Sequence, residues 1–85
     1  MKYVVRIVPA VRKQLARLPQ AAQARLDEHI NSLAKKPRPF GCKKLVGEGN
    51  RYRIRVGSYR ILYSIRDDQL LVLVLKVGPR RDVYR

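Results

Sequence analysis

The pattern of apolar and polar positions is clearest over residues 51–56. Arginines occupy the odd positions there, and Tyr52, Ile54 and Val56 occupy the even ones. Because successive side chains of a strand point to opposite faces, this pattern predicts a strand with one apolar and one cationic face. Gly57-Ser58 follows, and glycine at the first of two turn positions is typical of a type II′ β-hairpin.

That turn would set the register of the hairpin, with Arg55 directly opposite Arg60. The other predicted pairs are Val56 with Tyr59, Arg53 with Leu62 and Arg51 with Ser64. Like charges facing each other across two strands are destabilising. The cationic face is therefore either an anion site or a solvated surface, and the unfavourable pairing favours the anion site because a solvated surface leaves it unexplained.

The N-terminal half has the patterns of one strand and two helices. Tyr3 to Val8 alternates and predicts a strand, after which Pro9 suits the first position of a helix that ends at Leu18. A second helix is predicted from Gln20 to Lys36. The apolar stripes that define the two helices are Val11, Leu15 and Leu18 in the first, and Ala22, Leu26, Ile30 and Leu33 in the second.

A segment rich in proline and glycine, from Pro37 to Asn50, is predicted to be a loop. It carries Lys43 and Lys44, so it is either a connector with solvated lysines or one wall of an anion groove. After the hairpin and a turn at Asp67-Asp68-Gln69, the apolar run from Leu70 to Val77 predicts a central strand that is buried on both faces.

The length of that last turn decides which side of the final strand faces the core. A two-residue loop would bury Lys76 against Tyr59 as an unpaired charge, which is costly. We therefore expect a three-residue loop, with Lys76 beside Arg60 as a fifth cation of the basic face. The residues predicted to face the core are then Leu71, Leu73, Leu75 and Val77.

These elements predict an α+β fold. An N-terminal strand and a two-helix hairpin precede a three-stranded antiparallel meander, which forms one sheet packed on the helices. Its length of 85 residues predicts one small domain over residues 1–85.

The net charge of the chain indicates which classes of binding partner to expect. The formal net charge is +14, an excess that favours nucleic acid, an anionic membrane surface or an acidic protein, and that should destabilise the free fold by self-repulsion. Cys42 is the only cysteine, so no intrachain disulfide can form. Because no apolar run approaches a membrane span and no signal pattern opens the chain, we expect a cytoplasmic protein without membrane contacts.

Several kinds of catalysis have little support in this composition. His29 lies at the border of a helical stripe, Cys42 has no histidine near it in sequence, and the acidic residues number 6. No metal site, no cofactor, no phosphate-binding glycine loop and no nucleophilic triad is predicted.

What the chain offers is a cluster of guanidinium groups with tyrosines nearby. Arginine stays protonated and cannot act as a base, but it binds phosphate bidentately and stabilises charge that develops in a transition state. RNA supplies its own nucleophile, a 2′-hydroxyl held in line with the adjacent phosphate. Tyr84 could transfer a proton, stack on a base, or simply pack on the sheet edge.

The order of elements and three sequence motifs resemble the RelE branch of the RelE/ParE toxin superfamily. The motifs are Lys43-Lys44-Leu45, the hairpin from Tyr52 to Tyr63, and the ending from Val77 to Arg85. The resemblance implies a toxin of a type II toxin–antitoxin pair that enters the ribosomal A site. There it would cleave mRNA by attack of the 2′-hydroxyl, without a metal.

The resemblance also implies roles for single residues. The implied catalytic residues are Arg53, Arg55, Arg60, Arg80 and Tyr84. The implied RNA contacts are Lys43, Lys44, Arg51, Lys76 and Arg81. This chain differs from well-known members in having arginine rather than lysine at Arg53 and Arg55, and Pro79 where many relatives have histidine.

The partners implied are the ribosome, mRNA and a cognate acidic antitoxin. A helix or extended segment of the antitoxin would cover the mixed face of the sheet, where Leu62, Val72 and Val74 would lie among the cations. Two other functions stay open: a ParE-like inhibitor of DNA gyrase without nuclease activity, and a non-catalytic RNA-binding module. The basic face has no interleaved aromatic residues, which argues against the module.

Overall fold

The computed structural model describes residues 2–47 and 49–79, and within these residues two helices pack on one face of a five-stranded sheet. The elements in chain order are β1 (Val4–Ile7), α1 (Pro9–Ala16), α2 (Gln20–Ser32), β2 (Lys43–Lys44), β3 (Arg51–Val56), β4 (Tyr59–Arg66) and β5 (Leu71–Pro79). The strands lie in the order β1-β5-β4-β3-β2. The predicted α+β class is confirmed, although the sheet has one strand more than predicted.

Both helices end earlier than their apolar stripes predicted. At the end of α1, the backbone N–H groups of Arg17 and Leu18 bond to carbonyls three residues back, which tightens the last turn. Pro19 then disfavours helical geometry at Leu18. The backbone N–H groups of residues 33–35 form bonds of the same three-residue kind, so the regular helix ends at Ser32 rather than Lys36.

The core lies between the helices and the inner face of the sheet. The helical stripes supply Val11, Leu15, Leu26, Ile30 and Leu33, all buried as predicted. Burying a leucine or isoleucine side chain stabilises the fold by about 1.5–3 kcal/mol. The strands supply Tyr52, Ile54, Val56, Ile61, Tyr63, Ile65, Val72, Val74 and Val77.

The hairpin register is confirmed at every predicted position. Val56 pairs with Tyr59 and Arg55 with Arg60, and the pairing continues to Arg51 opposite Ser64. Gly57 has a φ of 61°, and Ser58 has no positive φ. A positive φ at the first turn position alone is the type II′ arrangement, which matches the right-handed twist of the two strands.

The predicted orientation of β5 is wrong in its first half. Leu70 adopts left-handed backbone geometry with a φ of 49°, so the turn has four residues rather than three and Arg66 pairs with Leu71. One extra turn residue moves every following side chain to the opposite face. Val72 and Val74 are therefore fully buried, and Leu71 and Leu73 face outward.

A β-bulge restores the predicted orientation in the second half of β5. Tyr63 pairs with Val74 but Leu62 pairs with Lys76, which leaves Leu75 as the extra residue. Val77 consequently points into the core, as predicted. Lys76 faces Leu62 rather than Arg60, whose partner on β5 is Gly78, so the predicted direct pair of Lys76 and Arg60 is wrong.

The two edges of the sheet were not predicted from the sequence. β1 pairs with β5 in parallel, with Val4 beside Leu71, which confirms the predicted central position of β5. The prediction that this strand is buried on both faces is wrong, because Leu71 and Leu73 on its outer face are partly exposed. At the other edge, Lys43 and Lys44 form the short strand β2 beside β3. The segment predicted as a loop from Pro37 to Asn50 thus contributes a strand. Within the described residues, neither helix is both long and apolar enough to cross a bilayer.

Candidate functional site

Cations cluster on the outer face of the sheet, the face opposite α1 and α2. Tyr52, Ile54 and Val56 are buried beneath the helices, so strand alternation places the arginines between them on the outer face. We call six of the cations on this side the basic face: Lys43, Arg51, Arg53, Arg55, Arg60 and Lys76.

The pair of Arg55 and Arg60 lies next to the hairpin turn, directly opposite each other. Arg55 is exposed, whereas Arg60 is only 4% exposed and is the sole charged side chain in the buried class among the described residues. Burying a guanidinium is costly to the fold, and Nε and Nη1 of Arg60 are both buried. Arg60 is therefore a cation enclosed by the fold, with the exposed cation Arg55 beside it.

The two lysines of β2 differ in their relation to the basic face. Lys43 pairs with the half-buried Arg53, and Lys44 pairs with Tyr52. Because alternation sends Lys44 to the opposite side, only Lys43 extends the basic face. Arg51 lies at the far end of β3, opposite Ser64.

Lys76 connects the basic face to a cleft between α1 and the end of β5. The cleft has a volume of about 350 Å³ and is lined by Gln14, Arg17 and Lys76 among others. Gln14 fixes its wall, because Oε1 accepts a hydrogen bond of 2.9 Å from the backbone N–H of Val77. Three predicted site residues, Arg80, Arg81 and Tyr84, lie outside the described residues, which end beside this cleft at Pro79.

The other half of the outer face is mixed, because the exposed Arg6 and Arg66 lie there beside apolar side chains. Leu62, Leu71 and Leu73 are partly exposed there, and Val4 of β1 is 55% exposed. The predicted antitoxin contacts included Val72 and Val74, which is wrong because both are core residues. The apolar residues that lie on this face are their neighbours Leu71 and Leu73.

A polar network beyond the basic face had no signal in the sequence. The guanidinium of Arg38 donates two hydrogen bonds to the Asp67 carboxylate, at 2.8 and 3.2 Å, and its Nε donates one to the Tyr52 hydroxyl at 3.2 Å. The Tyr3 hydroxyl also donates to Asp67. Arg38 foremost, and then Tyr3, lower the pKa of Asp67 to about 2.

This network and a buried tyrosine attach the segment before β2 to the sheet. The Tyr63 hydroxyl donates a 2.8 Å hydrogen bond to the carbonyl of Pro37, and its ring stacks on Tyr52 with 6.0 Å between centroids. Burial, with Cys42 as a further cause, raises the pKa of Tyr63. Arg38 and Asp67 are separated by 29 residues in sequence, so only the folded sheet brings these groups together.

The single histidine and the single cysteine lie outside the basic face. His29 is on α2, where Nδ1 is 2.9 Å from the carbonyl oxygen of Arg25, as expected of a residue at a helix border. Cys42 is partly buried and packs against the core. The arginines and lysines are thus the groups that this site presents to a ligand.

Comparison with known proteins identifies the family. Residues 5–84 match the family model described as the ParE toxin of the type II toxin–antitoxin system parDE. Toxin RelG of Mycobacterium tuberculosis is 36% identical over 86 residues, which cover 100% of this chain and 99% of that protein.

Solved structures agree in fold and in sequence. The archaeal RelE–RelB complex of Pyrococcus horikoshii contains a chain that is 37% identical, with a TM-score of 0.85 and coverage of 96% of this chain and 99% of that one. For the RelBE2 toxin–antitoxin complex of M. tuberculosis the identity is 32% and the TM-score 0.83, over 94% of this chain and 100% of that chain. The chain belongs to the RelE/ParE superfamily of type II toxin–antitoxin toxins, in its RelE-like branch.

Proposed function

We propose that this toxin is a ribosome-dependent endoribonuclease that cleaves mRNA in the A site. The observation that carries the proposal is the buried Arg60 directly opposite the exposed Arg55. Two adjacent guanidiniums repel each other in the free protein, and a phosphate bound between them would turn that repulsion into two attractive contacts. A cytoplasmic location follows from this proposal, since its substrate is on the ribosome.

The chemistry that these groups support is attack of a 2′-hydroxyl on the adjacent phosphate. Arg53, Arg55 and Arg60 would bind the phosphate oxygens and stabilise the negative charge that grows as the oxygen–phosphorus bond forms. The nucleophile comes from the RNA itself, so this mechanism needs neither a metal-activated water nor a cofactor. By family resemblance, Arg80 would also contact the phosphate and Tyr84 would transfer a proton or stack on a base.

The remaining RNA contacts that we propose lie on or beside the basic face. Lys43, Arg51 and Lys76 would bind phosphates that flank the scissile one, and Arg81 is expected to do so by resemblance. Lys44 lies off the basic face and would contact RNA only at the β2 edge.

The test is to map mRNA ends in a translating extract with the wild-type chain and with Arg55→Gln, Arg60→Ala and Arg80→Ala. Loss of one positioned donor should lower cleavage by roughly 100-fold. Arg12→Ala, an exposed position on α1 away from the basic face, serves as the matched control. Arg60 is buried and its variant could unfold, so the exposed Arg55 keeps the test decisive. Absence of cuts with the wild-type chain, or full cleavage by Arg55→Gln, would refute the proposal.

Gyrase inhibition is a second candidate because the matching family model is described by ParE toxins. The complete set of arginines argues for RNA instead. A supercoiling assay with purified gyrase distinguishes the two functions: inhibition without mRNA cleavage would replace the first proposal. A plain RNA-binding module would bind RNA, cleave none and leave growth unaffected when expressed.

We also propose a cognate acidic antitoxin as the protein partner. The outer face combines the six cations of the basic face, and Arg6 and Arg66, with the exposed Val4 and the partly exposed Leu62, Leu71 and Leu73. This combination suits a segment carrying both carboxylates and apolar side chains. RelE-type structures solved with RelB support such a partner. Co-expression with the neighbouring acidic reading frame should neutralise the toxin, and Leu73→Glu should weaken the complex while exposed Arg12→Ala should not.

A further inference from the structure

One aromatic side chain of this molecule is held in full contact with solvent. Phe40 is 105% exposed relative to its reference state. It lies at the corner of a β-turn in which the backbone N–H of Cys42 donates a 3.0 Å hydrogen bond to the carbonyl of Pro39. Gly41, with a φ of 91°, occupies the next corner, as a type II turn requires. We call residues 39–42 the aromatic turn.

The aromatic turn is anchored on both sides. Before it, Arg38 is bonded to Asp67 and Tyr52, and Pro37 accepts the Tyr63 hydroxyl bond. After it, Cys42 packs against the core and Lys43 enters β2. The backbone on either side of Phe40 is therefore held by a buried tyrosine, an ion pair and a strand, so binding a ligand there would cost little backbone ordering entropy.

Cations surround the aromatic turn and adjoin the basic face. The sequence from 35 to 47 has no acidic residue and carries Lys35, Lys36, Arg38, Lys43 and Lys44. Lys43 pairs with Arg53 of the basic face and directly follows the aromatic turn in sequence, so the Cα atoms of Phe40 and Lys43 are at most roughly 11 Å apart. The aromatic turn thus adjoins the β2 edge of the basic face.

We propose that the aromatic turn is an RNA docking element on which an unpaired base stacks against Phe40, while Lys43 and Lys44 bind the adjoining phosphates. This inference rests on the proposed function and adds a second contact region to it. A flat ring on a convex corner suits a splayed base, which needs no pocket. A protein partner would have to supply a cavity to cover the same ring. The element also provides the aromatic component that the basic face itself lacks.

The unpaired base could come from mRNA or from ribosomal RNA, and two binding measurements separate these sources. One uses vacant ribosomes, and the other uses a 2′-O-methylated single-stranded RNA of about 12 nucleotides, which cannot be cleaved by 2′-hydroxyl attack. The full-length chain is compared with Phe40→Ala, Phe40→Leu and Phe40→Trp. Val46→Ala is the matched control, since Val46 is 100% exposed in the same segment.

Phe40→Ala and Phe40→Leu should weaken RNA binding at least about fivefold, the lower bound of one base–aromatic stack. Phe40→Trp and Val46→Ala should bind like the wild type, and all four variants should keep its melting temperature. In the translating extract, Phe40→Ala should raise KM and leave kcat unchanged. Weakening with the single-stranded RNA alone identifies mRNA as the source of the base, weakening with vacant ribosomes alone identifies ribosomal RNA, and weakening in both shows that the ring stacks on bases of either RNA.

Three results would overturn the inference. They are unchanged binding of Phe40→Ala in both measurements, wild-type binding by Phe40→Leu, and a loss of antitoxin affinity while RNA binding is unchanged. The last would assign Phe40 to a protein contact. A different pattern would refute the proposed nuclease activity. If the wild-type chain binds RNA through Phe40 but cuts no mRNA, the nuclease proposal is wrong and the docking element is still supported.

Discussion

At the scale of single residues, the proposed function of Arg55 and Arg60 opposes the stability of the hairpin. Their side chains face each other across the hairpin, a placement that destabilises a strand pair. Neighbouring positions demonstrate that the sheet does not require it, since Arg51 faces a neutral serine and Arg53 faces a leucine. Under the proposed function, a bound phosphate would offset the repulsion between the two guanidiniums.

Replacing Arg55 should therefore stabilise the fold while lowering mRNA cleavage by roughly 100-fold. We expect Arg55→Gln to raise the free energy of unfolding by about 0.2–1 kcal/mol at low salt, because it removes the repulsion with Arg60. The gain should shrink as salt screens the charges. Denaturant titration measures it, with Arg51→Gln as the control because Arg51 faces Ser64. Destabilisation of Arg55→Gln at low salt would show that the pair is not repulsive.

Asp67 gives the fold a pH dependence in the acid range. Its pKa is lowered to about 2, chiefly by Arg38 and then by Tyr3, whereas an unfolded aspartate titrates near about 3.9. A lowered folded-state pKa stabilises the protein above about pH 4, and this contribution is lost as the pH falls towards about 2. The melting temperature of the wild type should fall over that window more steeply than that of Asp67→Asn. Asp68→Asn, in the same turn, should behave like the wild type; parallel curves for wild type and Asp67→Asn would contradict the assignment.

At the scale of secondary-structure elements, two turns and a bulge decide which side chains reach the basic face. The Gly57 turn follows from local chemistry and was predictable with its register. Leu70 was not, because a left-handed leucine has no sequence signature and adds a residue to the next turn. The bulge at Leu75 then shifts the following residues back by one position. Lys76 therefore lies on the outer face as predicted, although the turn before β5 is one residue longer than predicted.

The hairpin turn depends on glycine at position 57. Its φ is 61°, and a Cβ there would lie 3.3 Å from a guanidinium nitrogen of Arg25. Gly57→Ala should lower the free energy of unfolding by about 1–2 kcal/mol, mainly through the backbone conformation, since the arginine tip can move. Ser58→Ala is the control at the adjacent turn position. Equal stability of the two variants in denaturant titration would exclude backbone strain at Gly57.

At the scale of the whole molecule, the large positive net charge should destabilise the free fold by self-repulsion. A net charge of +14 is confined within a Cα radius of gyration of 11.9 Å. The Debye length falls from about 30 Å at 0.01 M salt to about 8 Å at 0.15 M, so repulsion across the molecule is screened over this range. A polyanionic partner, whether RNA or an acidic antitoxin, would relieve the same repulsion.

The melting temperature of the free chain should accordingly rise between about 0.01 and 0.15 M NaCl. A variant with Lys35→Gln and Lys36→Gln, both exposed residues after α2, has a net charge of +12 (14 − 2) and should show a smaller rise. A fall in melting temperature with salt would mean that favourable ion pairs, rather than repulsion, dominate the electrostatics.

Local periodicity in the sequence was enough to predict three features: the apolar stripes of the helices, the type II′ hairpin with its register, and the cationic face of β3. These follow from repeats of 3.6 and 2 residues and from glycine at one turn position, all readable within a short window. The family resemblance added the expected roles of Arg80 and Tyr84.

The features that depend on contacts between distant parts of the chain could not be predicted from the sequence. The orientation of β5 depends on the backbone conformation of Leu70 and on the bulge at Leu75. β1 pairs with a strand that is distant in sequence, and Lys43 is a strand residue because it pairs with Arg53. The burial of Arg60 and the anchored exposure of Phe40 belong to the same class. Local pattern assigns a residue to a face, whereas packing determines whether that residue is buried, paired or presented to a ligand.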